Sequence, residues 1–204
     1  KELLHIANCL TGCEFNDDTL ILSTSGRYEF KNKGIDVYIE AMNRLSRDSR
    51  LEKNVLAFIN VPGWVGDPRQ DLQERMNSKE SFTTALECPM ITHWLHDMNH
   101  DQVLDMMKWM DMNNAADKKV KIIFVPCYLD GKDGILNMTY YDLVLGNDLS
   151  VYSSYYEPWG YTPLESVAFH IPTITTSLTG FGVWAAKVQE KMETKPVTVI
   201  HRTD

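Results

Sequence analysis

The sequence lacks any long apolar run. Its 204 residues are 44% apolar, yet no window of about 18 uncharged apolar residues occurs, and this excludes a membrane-spanning helix. The first stretch, KELLHIANCLTGCEF, is a poor secretory signal because an acid and a His stand beside its short apolar run and no small-residue cleavage site follows. We therefore expect a soluble, cytoplasmic protein with no membrane partner.

Cysteine and positive charge are also scarce. The four cysteines follow no common zinc spacing, and a chain of this length needs no disulfides, so we expect reduced thiols. The formal net charge of −8 argues against nucleic acid as a partner, because sequence-independent binding depends on basic surfaces. An anionic ligand would therefore need a local basic pocket.

Strands and helices alternate along most of the chain. Apolar strands are predicted at 19–24, 55–61 and 120–126, and helices at 35–45, at QDLQERM and at 101–113. Short strands (LSVYS, TITT, PVTVIH) and helices alternate from about residue 141 onward. This pattern predicts an α/β fold with a Rossmann-like, doubly wound, mostly parallel sheet. The length suits one domain over residues 1–204, with a possible irregular insertion at about 65–100.

Three loops are candidates for a binding site. In such sheets, ligands bind beyond the carboxyl ends of the strands, in the loops that lead into helices. The loops are SGRYEFKNKG after the first strand, SYYEPWGYTPLE after LSVYS, and TSLTGFG after TITT.

The first loop carries two cations near the start of a helix. Gly26 frees the backbone beyond the strand, and Arg27 and Lys33 follow it. Cations beside free helix N–H groups suit a diphosphate. The loop lacks the Gly-Lys-Ser/Thr of a Walker motif, and taken by itself it is better interpreted as a solvated basic loop.

The second loop combines carboxylates with aromatic rings. Thr162, Pro163 and Glu165 predict a helix start with a capping box, whose free N–H groups could also hold a phosphate. Glu157 lies eight positions before Glu165, among three tyrosines and a tryptophan. Rings that stack on a pyranose and acids that accept its hydroxyls are typical of sugar sites. The alternatives are a simple cap for Glu165, an exposed loop acid for Glu157, and core packing for the rings.

These loops resemble one enzyme family. GRYEFKNKG (26–34), SYYEPWGYTP (154–163) and ITTSLTGFG (174–182) resemble the glycogen synthases of the glucose-6-phosphate-regulated branch, in matching order and separation. VKIIFVPCYLDG followed by YYDLVLGNDLSVY extends the resemblance, which runs from about Thr19 to Gly182. It implies the C-terminal, donor-binding half of a GT-B fold.

The resemblance also implies roles for particular residues. Arg27 and Lys33 would hold the donor diphosphate and stabilise the leaving group. Glu157 would lie by the transferred glucose, and Glu165 would accept ribose hydroxyls. The backbone N–H groups of Gly160, Tyr161 and Thr162 would face the phosphate or the sugar. Tyr140 would stack on the base. A one-residue shift in the alignment would give that role to Tyr141 instead.

The implied reaction is retaining transfer of glucose from UDP-glucose or ADP-glucose to the 4-hydroxyl at the end of an α-1,4-glucan such as glycogen. No metal and no cofactor are implied, because cationic side chains and a helix N-terminus can stabilise the departing diphosphate. His93, His96 and His100 could share a helical face as metal ligands, but no further ligand completes a set, and surface or structural roles are favoured.

The chain departs from the family in what it contains. No second doubly wound unit is found, so we expect the N-terminal GT-B domain, a necessary partner, to be absent from it. Only Arg202 remains near the end, where the branch has an arginine-rich regulatory helix, so regulation by glucose 6-phosphate is not inferred. The alternatives are another retaining GT-B transferase, of the starch or sucrose synthase kind, and a non-catalytic nucleotide-binding regulatory module.

Overall fold

Six parallel strands form the central sheet of the computed structural model, which describes residues 1–203. The strands are β1 (Leu20–Ser25), β2 (Val55–Asn60), β5 (Val120–Val125), β6 (Leu149–Val151), β7 (Thr173–Thr176) and β8 (Val197–Ile200). Their order across the sheet is β5-β2-β1-β6-β7-β8, and every pair is parallel. Counted along the chain within this sheet, the order is 3-2-1-4-5-6, that of a Rossmann fold. The predicted α/β fold with a doubly wound parallel sheet is confirmed.

Helices cover both faces of the sheet. They are α1 (Glu2–Thr11), α2 (Ile35–Ser46), α3 (Gln70–Asn77), α4 (Gln102–Trp109), α5 (Tyr140–Val144), α6 (Tyr161–Ala168) and α7 (Gly180–Val188). All of these except α1 lie where the sequence predicts a helix. No helix within residues 1–203 is long and apolar enough to cross a membrane.

Alternating side chains of the strands build two cores. Leu22, Ala57 and Ile59 pack with α2 and α4 on one face, while the intervening Ile21 and Phe58 pack with α1, α3 and α5 on the other. Neighbouring strand residues point to opposite faces, so a strand covered on both faces reads as a continuous apolar run. This is why β2 and β5 are recognisable from the sequence as buried strands.

The helix α1 escaped prediction although its pattern is present. Leu3, Ile6, Ala7 and Leu10 are buried at helical spacing, and Gly12, with a φ of 65°, ends the helix in the left-handed conformation. The same short apolar run that resembles the core of a leader peptide is thus the buried face of an amphipathic helix.

The segment at 65–100 contains more regular structure than expected. Besides α3, it has a two-stranded antiparallel sheet of β3 (Val65–Pro68) and β4 (His93–Leu95). Arg69 is fully buried there; its guanidinium donates to the carbonyl oxygens of Glu87, Cys88 and Ile91 and lies 4.3 Å from the centre of the Trp94 ring. The buried guanidinium of Arg69 thus holds together a segment whose sequence shows no apolar periodicity.

Gly34 holds two loops of the sheet edge together. It precedes α2 with a φ of 64°, and a Cβ at this position would overlap the carbonyl oxygen of Ser153, beyond the end of β6. The Ser153 hydroxyl donates to the Gly34 carbonyl oxygen at 2.7 Å. The loop after β1 and the loop after β6 therefore meet at a position that only glycine fits.

Gly34→Ala is expected to lower the free energy of unfolding by at least about 3 kcal/mol, because backbone strain and overlap with Ser153 combine. Gly131→Ala is the matched control, since Gly131 has a φ of 87° but its nearest neighbouring atom would lie 3.9 Å from the new Cβ. In Gly131→Ala, backbone strain alone should lower the free energy of unfolding by about 1–2 kcal/mol. Denaturant unfolding of the two variants measures the difference, and equal losses would show that the contact with Ser153 is unimportant.

Candidate functional site

An ion pair joins the first and second candidate loops. Lys33, after β1, and Glu157, after β6, form a salt bridge between Nζ and Oε2, with side chains that are only 13% and 19% exposed. The strand order reverses between β1 and β6. Rossmann folds bind their ligands in the crevice beyond the carboxyl ends of the two strands at this point. Two of the candidate residues, from different loops, are thus in direct contact.

Backbone hydrogen bonds fix both loops. The amide of Tyr155 donates to the carbonyl oxygen of Asn32 at 2.8 Å, and the amide of Gly180, at the start of α7, donates to that of Glu157 at 3.1 Å. The loop after β7 thereby supports the loop after β6. All three loops nominated from the sequence form one connected edge.

Arg27 belongs to a different ion pair. Its guanidinium lies 3.0 Å from Glu29, and its side chain is 75% exposed. A pair this exposed contributes little to stability, so Arg27 is free to change partners. It does not line the cleft described next.

A cleft of about 350 Å³ includes Gly26, where an added Cβ would lie 3.7 Å from the Lys33 side chain, but neither Lys33 nor Glu157 lines it. Ser25 and Gly26 at the end of β1 form part of it, and Thr162 and Glu165 of α6 and Tyr140 of α5 enclose it. The Glu165 carboxylate accepts a hydrogen bond from the Tyr141 hydroxyl at 3.0 Å. Of the predicted donor-binding residues, Tyr140, Thr162 and Glu165 are therefore brought together.

The two adjacent tyrosines of α5 have different environments. Tyr140 lines the cleft, and its hydroxyl lies 2.9 Å from the Ser25 hydroxyl. Burial raises the pKa of Tyr140 above its usual range. Tyr141 is 48% exposed, and the hydrogen bond to Glu165 raises its pKa. Tyr140 is thus the tyrosine whose ring is placed to contact a ligand in the cleft.

The predicted capping box at Thr162 is wrong. Helix α6 begins two residues earlier than that box requires, at Tyr161, with Gly160 as its N-cap residue at a φ of 109°, and no side chain caps it. Glu165 instead bonds to Tyr141. The Ser/Thr-x-x-Glu pattern has its counterpart in α5, where Thr139 and Asp142 do form a capping box. The first-turn N–H groups of α6 therefore have no side-chain acceptor and can serve an anion.

The rings of the second loop divide into packed and exposed groups. Trp159 contacts Phe181 and Trp184 at centroid distances of 6.2 and 6.1 Å, which fits the core-packing interpretation. Tyr156 and Tyr161 are 65% and 71% exposed. Tyr155 is 43% exposed, and the guanidinium of Arg202 lies 3.8 Å from the centre of its ring. Tyr156 and Tyr161 are therefore the rings of this loop that present the most apolar surface to a sugar.

Two loops of the cleft were missed in the sequence. Asn60 and Pro62 follow β2, and residues 127–130 follow β5; both stretches line the cleft. The first has no charged motif at the strand end, and the second continues into the glycine-rich turn DGKDG (130–134), which by itself does not indicate a binding loop. Only the position of these loops could have indicated that they line the cleft, because the carboxyl ends of all parallel strands lie at the same edge of the sheet.

His93, Cys127 and Asp133 lie close together, with ligand-type atoms within 4.8 Å of one another. His93 belongs to β4, so the alternative of a helical face shared by the three histidines does not apply. The Nε2 of His93 lies 2.9 Å from the carbonyl oxygen of Asp133, and Nδ1 lies 2.9 Å from the Thr92 hydroxyl. Burial lowers the pKa of His93 and raises that of Cys127 to about 12. These partners suit a neutral histidine that fixes the loop after β5, rather than a metal ligand.

The sequence matches the family described as Glycogen synthase over residues 8–68 and 69–204. Similar curated proteins include a glycogen [starch] synthase of Neurospora crassa, 28% identical over 91% of this chain and 34% of its own length, and isoform 2 of Saccharomyces cerevisiae, 29% identical over 88% and 34%. The liver enzyme of Mus musculus is 32% identical over 81% of this chain and 30% of its own length. The chain thus spans about a third of these relatives.

A solved structure shares the fold. The crystal structure of WaaG, a glycosyltransferase involved in lipopolysaccharide biosynthesis, superposes with a TM-score of 0.50 at 18% identity, over 92% of this chain and 35% of that one. At this identity, the likeness concerns the fold alone.

Lys33→Met is expected to weaken UDP binding by about 1.5–3 kcal/mol, the range for hydrogen bonds to charged groups. Glu157→Gln is the matched variant: it breaks the same ion pair but leaves the ammonium in place for the diphosphate, so UDP affinity should fall less than in Lys33→Met. Calorimetric titration of both variants measures the effect. Equal weakening in the two would mean that the pair acts only by holding the loops.

Tyr140→Ala is expected to weaken UDP binding by about 1–3 kcal/mol if its ring stacks on the base. Tyr140→Phe keeps the ring and should bind nearly as well, while Tyr141→Ala should lose less than Tyr140→Ala. Fluorescence titration gives the order of affinities. A larger loss for Tyr141→Ala would transfer the stacking role to that residue.

Proposed function

This chain belongs to the glycogen synthase family, and we propose that it is the nucleotide-sugar-binding part of a retaining glucosyltransferase. The reaction is transfer of glucose from UDP-glucose or ADP-glucose to the 4-hydroxyl at the end of an α-1,4-glucan. The observation that carries the proposal is the Lys33–Glu157 pair at the point where the strand order reverses, beside a cleft with Tyr140 and Glu165.

The cationic end of the site would bind the diphosphate. Lys33 provides a partly buried ammonium, the first turn of α6 provides N–H groups from Gly160 to Thr162, and exposed Arg27 can swing toward the phosphates. Charge that develops on the leaving diphosphate is stabilised by groups already in position. The site therefore needs no metal ion for this step, and no cofactor beyond the donor itself.

Two carboxylates would position the sugars of the donor. Glu157, held next to the ammonium, is placed toward the transferred glucose, and Glu165, deeper along α6, toward the ribose hydroxyls. In the same-face reaction, the bond from the anomeric carbon to the phosphate oxygen breaks as the acceptor oxygen bonds to that carbon. The acceptor proton passes to the departing phosphate.

The other half of the active site would come from a second Rossmann domain of the same enzyme. Because the chain spans about a third of its relatives, we propose that an N-terminal GT-B domain binds the glucan and closes over the donor. A starch or sucrose synthase-like transferase is the alternative within enzymes, and a non-catalytic nucleotide-binding module is the alternative outside them.

The 204-residue chain is expected to bind UDP weakly and to transfer no glucose to glycogen by itself. Closure of two domains supplies orientation worth on the order of 7–11 kcal/mol in favourable systems, and one open half lacks it. Water would also screen the exposed guanidinium of Arg27. The measurement combines calorimetry with UDP and ADP and incorporation of radiolabelled glucose from UDP-glucose and ADP-glucose into glycogen.

A full-length homologue assayed beside it is the positive control. Label incorporation by the 204-residue chain at the homologue's rate would overturn the requirement for a second domain. A chain that binds neither nucleotide would overturn the donor-site proposal, and nucleotide binding by a full-length protein that transfers no glucose would favour the regulatory module.

A further inference from the structure

Asn60 places an unpartnered polar group at the floor of the cleft. It is the last residue of β2, it is 9% exposed, and its Oδ1 is buried without a hydrogen-bond partner among residues 1–203. Buried polar atoms in native proteins are almost always paired. An orphaned amide oxygen in a residue that lines a binding cleft indicates that the partner is a ligand.

The sheet register fixes where this amide lies relative to the rest of the cleft. Asn60 is the direct partner of Ser25 on β1, so the two side chains share one face of the sheet, about 4.8 Å apart. The Ser25 hydroxyl contacts the hydroxyl of Tyr140. The Asn60 amide is therefore one strand away from the phenol end of the ring that lines the cleft.

Asn60 and the ion pair lie on opposite sides of β1. Lys33 and Glu157 span β1 and β6, whereas β2 lies on the other side of β1, next to β5. If the diphosphate occupies the cationic end, the part of the donor that reaches β2 and β5 is the nucleoside. The diphosphate and the glucose then lie near the ion pair, so they cannot also reach β2 and β5.

The amide has the chemistry that a nucleobase edge requires. Asparagine offers an acceptor oxygen and a donor NH₂ side by side, and a half-turn of the terminal amide exchanges them. The imide edge of uracil presents an N–H beside a carbonyl oxygen, and adenine presents an NH₂ beside a ring nitrogen. Either base can form two parallel hydrogen bonds with the one side chain.

We propose that Asn60 recognises the base of the donor nucleotide through its side-chain amide, while Tyr140 contacts the face of the same base. This inference rests on the proposed donor site. Asn60 is a base-binding residue that touches the nucleoside and no other part of the donor.

The test separates the base from the phosphates. The 204-residue chain and its Asn60→Leu variant, which keeps the side-chain volume and removes both polar groups, are titrated with uridine, adenosine, UDP, ADP and inorganic pyrophosphate. Asn60→Leu is expected to bind the preferred nucleoside and its diphosphate about tenfold more weakly, with pyrophosphate unchanged. Lys33→Met, the control, should show the reverse pattern: weaker pyrophosphate and unchanged nucleoside. The preferred nucleoside identifies the base.

A second measurement does not depend on folding of the Leu variant. In a chain labelled with ¹⁵N-asparagine, the side-chain NH₂ signals that disappear in Asn60→Ser belong to Asn60, and they should shift with the preferred nucleoside but not with pyrophosphate. Unmoved signals, together with unchanged affinity of a folded Asn60→Leu variant, would overturn the role of Asn60 while Lys33→Met still weakens UDP. Absence of UDP and ADP binding to the wild-type chain would instead overturn the donor site as a whole.

Discussion

The site depends on one contact, the ion pair of Lys33 with Glu157. The two residues are separated by 124 positions, and they meet only because β1 and β6 are parallel neighbours whose carboxyl ends lie side by side. Both side chains are largely shielded from water, so each charge lowers the cost of burying the other. Neither loop would keep its charged side chain shielded from water without the opposite charge on the other loop.

Much of the fold could be predicted because its signals are local. Strands β2 and β5 are continuous apolar runs, and α2 has apolar residues at helical spacing. The position of Lys33 beside Glu157 followed from two motifs and from the rule that parallel strands present their carboxyl ends at one edge. Patterns of this kind can be recognised in a single sequence, because neighbouring residues form each of them.

The features that escaped prediction depend on contacts between distant parts of the chain. Thr162 and Glu165 have the spacing of a capping box, but the N-cap of α6 is Gly160, two residues earlier, and Glu165 bonds to Tyr141 from another helix. Spacing alone cannot show that a distant hydroxyl will compete for the carboxylate. Asn60 is likewise an unremarkable end to an apolar strand until the fold shows a cleft above it and no partner for its amide oxygen.

The electrostatics of the unliganded site agree with a role in binding anions despite the net charge of −8. An ammonium has three N–H donors, and Glu157 accepts one of them. Two donors therefore remain for phosphate oxygens while the ion pair persists, so that binding an anion need not leave Glu157 as an isolated buried charge. The carboxylate also fixes the direction of the lysine side chain, whose free rotation would otherwise oppose binding. A protein with an acidic surface can thus hold one oriented cation at the point where the fold places its ligand.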